Sequence, residues 1–160
     1  MASAEQRAGR AGRTGPGHCY RLYSSALFSK MEEFSDPEIL KAPLDQTILQ
    51  LKAIGTQDVF KFPFVTMPAM APMKAALRHL TILGALDVAD RRQIDALLSV
   101  KQDDDEALRS DSTKVNKLGS LLSKVPLSPK YAKMLVVALK YGLAHYTIMM
   151  VACMSVAEIY

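Results

Sequence analysis

Apolar residues recur at helical spacing between proline and glycine breaks, and this punctuation leaves room for little besides short packed helices. Leu44, Ile48, Leu51 and Ile54 fall on one helix face, and Gly55 stops that helix. A second helix is predicted from Pro68 to Leu86, with Met73, Leu77, Leu80 and Leu83-Gly84 on its buried side. Asp36-Pro37-Glu38 starts a helix that Pro43 holds to about two turns. Arg91 to Val100 is a further helical piece. Leu118, Leu121, Leu122 and Val125 mark another, ended by Pro126. Ser128-Pro129 opens the next, with Tyr131, Met134, Leu135, Ala138 and Leu139 inward and Gly142 closing it. His145 to Tyr160 is apolar nearly all round, the pattern of a helix buried on most sides.

Strand signals are fewer. His18-Cys19-Tyr20-Arg21-Leu22-Tyr23 is rich in aromatics between turn residues and reads as a strand, and Ser25 to Phe34 as a helix or helical turn. In Asp58 to Phe64, Pro63 demotes the segment to an edge strand or an extended connector. The fold class expected is mixed and mainly α. A chain of 160 residues holds one ordinary domain or two small ones.

Charge is unevenly placed. The net charge is +4, and residues 1–30, with Arg7, Arg10, Arg13, Arg21 and Lys30 against Glu5, carry all of it. The rest is balanced and gives no broad basic face. Two cysteines, Cys19 and Cys153, are too few for a disulfide framework or a zinc site and suit a reduced intracellular compartment. They read as small buried apolar residues. The most apolar stretch, Met134 to Tyr160, is broken by Lys140, Gly142 and His145, so no membrane span is expected. Residues 1–13 lack a signal peptide's apolar core, and a soluble chain is expected. The acidic run Asp103-Asp104-Asp105-Glu106 reads as a solvated loop without the glycine and distal glutamate of a calcium site, and no metal is expected.

The N-terminal arginines carry the chemistry. Ser3 and Gln6 have capping-box spacing, so a short helix should start there and end in the glycines, with Gly12 or Gly15 left-handed. Thr14-Gly15-Pro16-Gly17 is a turn. On a helix, Gln6, Arg10 and Arg13 fall within an arc of roughly 60°, and Arg7 about 100° away. Two guanidinium forks and an amide on one face form a receptor for an oxyanion, most naturally a phosphoryl group. Small residues at Ala8, Gly9, Ala11 and Gly12 let a second body approach. Such arginines cannot hydrolyse a nucleotide, but they can stabilise a transferring γ-phosphoryl as arginine fingers do. The alternative is an Arg/Gly-rich disordered arm that holds RNA by charge.

Gln6-Arg7-Ala8-Gly9-Arg10-Ala11-Gly12-Arg13-Thr14-Gly15-Pro16-Gly17 resembles motif VI of the DEAH-box (DEAH/RHA) superfamily 2 RNA helicases. The resemblance continues through Pro37-Glu38-Ile39-Leu40, Leu49-Gln50-Leu51-Lys52, Phe62-Pro63-Phe64 and Leu83-Gly84-Ala85-Leu86-Asp87, then resumes at Leu118-Gly119 and runs to Met154-Ser155-Val156. Tyr131-Ala132-Lys133-Met134-Leu135 is most similar to the Kurz-type nucleolar helicases of small-subunit ribosome biogenesis.

The resemblance implies a register. Residues 1–35 would end a second RecA-like α/β domain, 36–115 would be a winged-helix domain with an acidic loop near 101–113, and 116–160 would begin a helical bundle called the ratchet. Gln6, Arg10 and Arg13 would bind nucleotide, with Arg10 and Arg13 as arginine fingers and Arg7 secondary. ATP and its magnesium would be held by a first RecA-like domain, and RNA stepped through 3′ to 5′. Pre-ribosomal RNA and ribosome-assembly factors are the implied partners, and the nucleolus within the nucleus the implied site. The 160 residues contain no Gly-x-x-x-x-Gly-Lys-Ser/Thr loop and no Asp-Glu-Ala-His, so they read as part of such an enzyme and should not hydrolyse ATP alone. Lys41 and Ser120 stand where relatives carry arginine. His18 reads as an exposed strand residue, His79 and His145 as structural histidines, and Met149-Met150-Met154 as core. Lys130, Lys133 and Lys140 fit either an RNA-facing or a solvated helix face.

Overall fold

The computed structural model describes residues 1–88 and 111–156. The helix expected at Arg91–Val100 and the acidic run at Asp103–Glu106 lie outside them. The described residues are mainly helical, and they divide into two units, Met1–Lys41 and Ala42–Tyr160.

The smaller unit holds α1 (Ala2–Ala11), α2 (Ser25–Phe28) and a 3-10 turn at Glu38–Leu40. Helix α1 begins at Ala2 rather than after Ser3, because residues 32 and 33 supply acceptors for its first donors. The Met1 ammonium donates to Glu32 O, and Ala2 N donates to Glu33 O at 2.9 Å. The expected capping box therefore does not form; Ser3 lies inside the helix. Gly12 caps its end at φ −101°, so neither it nor Gly15 is left-handed as expected. His18–Tyr23, expected as a strand, forms none: the only strands among the described residues lie in the other unit, and a lone extended segment has nothing to complete its backbone hydrogen bonds. Ser24 caps α2 by accepting from Leu27 N at 3.2 Å. No residue of 1–41 is buried.

The larger unit is built on α3 (Asp45–Ala53) and α4 (Met70–Ile82). Leu44, Ile48, Leu49 and Leu51 from the α3 side and Met73, Ala76, Leu77 and Leu80 from α4 are buried in its core. Each large side chain among them contributes about 1.5–3 kcal/mol by leaving water. Ile54 is 77% exposed, because it caps α3 and turns off the helix face that the spacing gave it. Between α3 and α4, Asp58 to Phe64 forms a 3-10 turn at Val59–Lys61, with Phe60 N donating to Asp58 Oδ1 at 3.0 Å, in place of an edge strand.

After α4 come β1 (Leu86–Asp87) and β2 (Lys114–Val115), antiparallel with Leu86 opposite Val115 and Asp87 opposite Lys114. Then follow α5 (Lys117–Leu122), α6 (Pro129–Lys140) and α7 (Ala144–Ser155). Gly55, Gly84 and Gly142, which follow α3, α4 and α6, have φ of 101°, 75° and 71°. At each, the next residue's N–H folds back onto the preceding helix: Thr56 to Leu51 O, Ala85 to Leu80 O, Leu143 to Ala138 O. Gly55 and Gly142 stand where the sequence pattern put the helix ends, whereas Gly84, expected on the buried side of a helix running to Leu86, is exposed and follows a helix that ends at Ile82. Helix α7 departs from expectation. Val151 is buried, but Tyr146, Ile148, Met149, Met150 and Met154 are exposed, since the described residues cover only one of its sides. No described helix is long and apolar enough to cross a membrane.

Candidate functional site

The expected phosphate-binding residues begin on α1, an exposed helix with no buried residue. Gln6 and Arg10 stand four positions apart, one turn of the same stripe, and both are exposed. Arg7 lies on another face. Arg10 also sits in the last turn, where a cation is favoured by the helix's partial negative charge.

Arg13 departs from the expectation of a shared helical stripe. The helix stops at Ala11, so Arg13 belongs to the loop beyond Gly12. The cause is local: glycine is a poor helix former, and residues 12, 15 and 17 are all glycine. That loop closes back on the helix end. A Cβ on Gly17 would sit 1.9 Å from the Ala11 carbonyl oxygen, an approach only glycine allows. Arg13 is thereby tethered beside the end of α1 by its chain rather than by helical phase.

Among the described residues, the side chains of Gln6, Arg7, Arg10 and Arg13 form no hydrogen bond or ion pair. Arg21 differs: its guanidinium lies 4.3 Å from the centre of the Phe28 ring, which stacks on Tyr23 at 6.3 Å and 14°. Arg21 is engaged within its unit, while the three arginines of the glycine-rich stretch present free donors. The arrangement can bind an anion and can do no acid–base chemistry of its own.

The remaining single residues resolve simply. Cys19 and Cys153 are exposed, contrary to the buried role expected, because one lies on an extended segment and the other on the uncovered side of α7. His18 and His145 are exposed, and His79 Nδ1 lies 3.1 Å from Asp45 Oδ1, joining α4 to α3. The described residues contain no cluster of three candidate metal ligands.

Sequence reasoning missed a buried charge cluster. Lys52 on α3 is buried with its ammonium 2.6 Å from Asp111 Oδ2, and the two side chains are 1% and 0% exposed. The same ammonium donates to Gln57 O at 2.6 Å and to Thr113 O at 2.8 Å. Asp111 Oδ1 accepts from Thr113 N at 2.9 Å and from its hydroxyl at 2.7 Å. The cluster ties α3 and the turn after it to the approach to β2. The available signal was a lysine four positions after Ile48, on the face that Ile48 and Leu51 bury.

Residues 128–160 match the family described as "Helicase associated domain (HA2), ratchet-like". Over all 160 residues the chain is 44% identical to the human "Probable ATP-dependent RNA helicase DHX37", covering 13% of that protein. It is 40% identical over 99% of its length to the Drosophila melanogaster "Probable ATP-dependent RNA helicase kurz", of which it covers 12%. It is 40% identical over 98% of its length to the Saccharomyces cerevisiae "Probable ATP-dependent RNA helicase DHR1", of which it covers 11%. The chain thus spans little more than a tenth of the length of these relatives.

Proposed function

We propose that this chain, whose sequence belongs to the DEAH-box ATP-dependent RNA helicase family in the group that includes kurz, supplies the arginine-bearing part of a helicase's ATP site. One observation carries the reading: Gln6 and Arg10 share an exposed stripe of α1, and no described side chain competes for their donors. Their target is the γ-phosphate of an ATP whose magnesium is held by a first RecA-like domain. Arg10 and Arg13 then stabilise charge on the transferring phosphoryl, a role worth on the order of 10³–10⁵ in rate. Arg13 acts from the loop that Gly17 closes, so its reach is set by the turn and not by the helix.

The finer reading assigns residues 36–115 to a winged helix and 116–160 to the start of a ratchet bundle. The pair α3–α4 with the short β1–β2 ladder supports the first, and the ratchet-like family match supports the second. The RNA acted on is pre-ribosomal, moved 3′ to 5′ in the nucleolus with ribosome-assembly factors as partners. The chain alone is inactive, because the phosphate loop and the Asp-Glu-Ala-His motif are not among its residues.

A non-catalytic RNA-binding module is the competing reading, favoured by the position of Arg13 off the helix. The two separate in one experiment. The chain is combined with the first RecA-like domain of a relative, and Gln6→Ala and Arg13→Ala are assayed for RNA-stimulated ATP turnover and for RNA affinity at several salt concentrations. A γ-phosphate site predicts lost turnover with RNA affinity and salt slope intact. A backbone-binding arm predicts weaker RNA binding with a shallower salt slope and unaltered turnover.

A further inference from the structure

Helices α6 and α7 form a hairpin held at several points. Pro129, Ala132 and Ala138 of α6 and Val151 of α7 are buried. Lys133 Nζ donates to Leu83 O at 2.6 Å, the Tyr131 hydroxyl donates to Met154 O at 3.3 Å, and Leu143 N donates to Ala138 O at 2.8 Å where the chain turns. The groove between the two helices is therefore preformed. It encloses about 470 Å³, within the range of about 300–1,000 Å³ usual for ligand sites, and Met134, Val137, Leu143 and Met150 line it. Met134, Val137, Ala138 and Tyr141 follow one another along α6 at three- or four-residue spacing, so the groove has the pitch of a helix. Lys130 and Lys133 line the part nearest the start of α6.

Charge around the groove has one sign. Residues 112–157 contain lysines and no aspartate or glutamate. Lys130 Nζ stands 4.8 Å from the centre of the Tyr131 ring, and Lys140 Nζ 5.9 Å from that of Tyr141. With Lys133 on a carbonyl, all three ammoniums are oriented by neutral groups, and none meets a carboxylate among the described residues. An acidic partner gains ion pairs at this rim without breaking any. A second copy of the chain would set lysine against lysine. RNA suits the charge but not the floor: bases stack on open ring faces, whereas lysines lie over Tyr131 and Tyr141, and methionine, valine and leucine suit aliphatic side chains.

We propose that the α6–α7 groove receives an amphipathic acidic helix of a partner protein. Large aliphatic side chains one turn apart seat between Met134, Val137, Leu143 and Met150, and flanking carboxylates reach Lys130, Lys133 and Lys140. The inference stands whether or not α1 meets a phosphate, and its readout involves no ATP turnover.

The test is fluorescence anisotropy with the full 160-residue chain and a fluorescein-labelled peptide carrying leucine at i, i+4, i+7 and i+11 and glutamate on the flanks. Saturable binding with a Kd below about 100 μM at low salt is expected. Val137→Asp, at an exposed position of α6, should weaken binding about tenfold or more by setting a carboxylate among apolar side chains. Lys130→Glu, also exposed, should weaken it about threefold to tenfold at low salt and less at high salt. Absence of saturable binding overturns the proposal, as does a Val137→Asp chain that binds like the original. Equal affinity for the same peptide with glutamine in place of glutamate overturns the acidic character of the partner. A uridine-rich RNA that displaces the peptide, and that Val137→Asp weakens as well, assigns the groove to nucleic acid and overturns it too.

Discussion

Replacing Lys52 with methionine keeps the apolar stem and deletes the charge, so the loss it causes belongs to the cluster rather than to packing. Its ammonium lies 2.6 Å from Asp111 Oδ2, in a pair whose side chains are 1% and 0% exposed. Removing one member of such a pair leaves an uncompensated buried charge, which costs about 3–5 kcal/mol. The carbonyls of Gln57 and Thr113 also lose their donor. These losses share one origin and do not add, so we predict a total of about 4 kcal/mol, against a whole stability of about 5–15 kcal/mol for a domain. The assay is urea unfolding followed by helical circular dichroism: the midpoint should fall steeply with little change in slope. Adding Asp111→Asn removes the stranded charge while leaving an acceptor for Thr113, and it should recover about 1–3 kcal/mol relative to the sum of the single variants. A Lys52→Met variant that loses under about 1 kcal/mol, or a double variant no better than additive, would refute the idea that the pair is buried and interdependent.

Three further outcomes follow from the same structure. Gly119→Ala places a Cβ 2.1 Å from Ala85 O, a backbone atom that cannot yield cheaply, and should cost about 1–3 kcal/mol by thermal or urea unfolding. Both thiols are exposed, so Cys19 and Cys153 should react with a thiol reagent in the folded chain about as fast as in urea. Arg10→Ala, on an exposed face without a partner among the described residues, should move stability by less than about 0.5 kcal/mol.

In the larger unit glycine and proline mark helix ends, and apolar spacing marks the inner faces of α3 and α4; on α5 and α6 it does so only in part, since Leu121, Met134 and Leu139, expected inward, are exposed. Gly55 and Gly142 adopt positive φ where the pattern breaks, and Ile48, Leu51, Met73, Leu77 and Leu80 are buried as spaced. Local pattern failed where the outcome depends on a distant partner. His18–Tyr23 has strand-like composition, but a ladder needs a neighbour, and none is present among the described residues of its unit. Helix α7 has a core composition, yet exposure depends on what packs over it. The Lys52–Asp111 pair has no local signature beyond one lysine on an apolar face. At the candidate site, the Gln6–Arg10 stripe was legible from helical phase, whereas Arg13 was not, because the helix ends two residues before it.

Arg10→Lys, assayed for RNA-stimulated ATP turnover with a supplied first RecA-like domain, isolates the guanidinium fork from the charge. If Arg10 meets the transferring phosphoryl, kcat falls by about 10² or more while the KM for ATP and the affinity for RNA hold, because lysine offers a point charge in place of two aligned donors. Unaltered kcat with lysine at this position would mean that α1 contributes only diffuse positive charge, and the phosphoryl-binding assignment of this helix would be wrong.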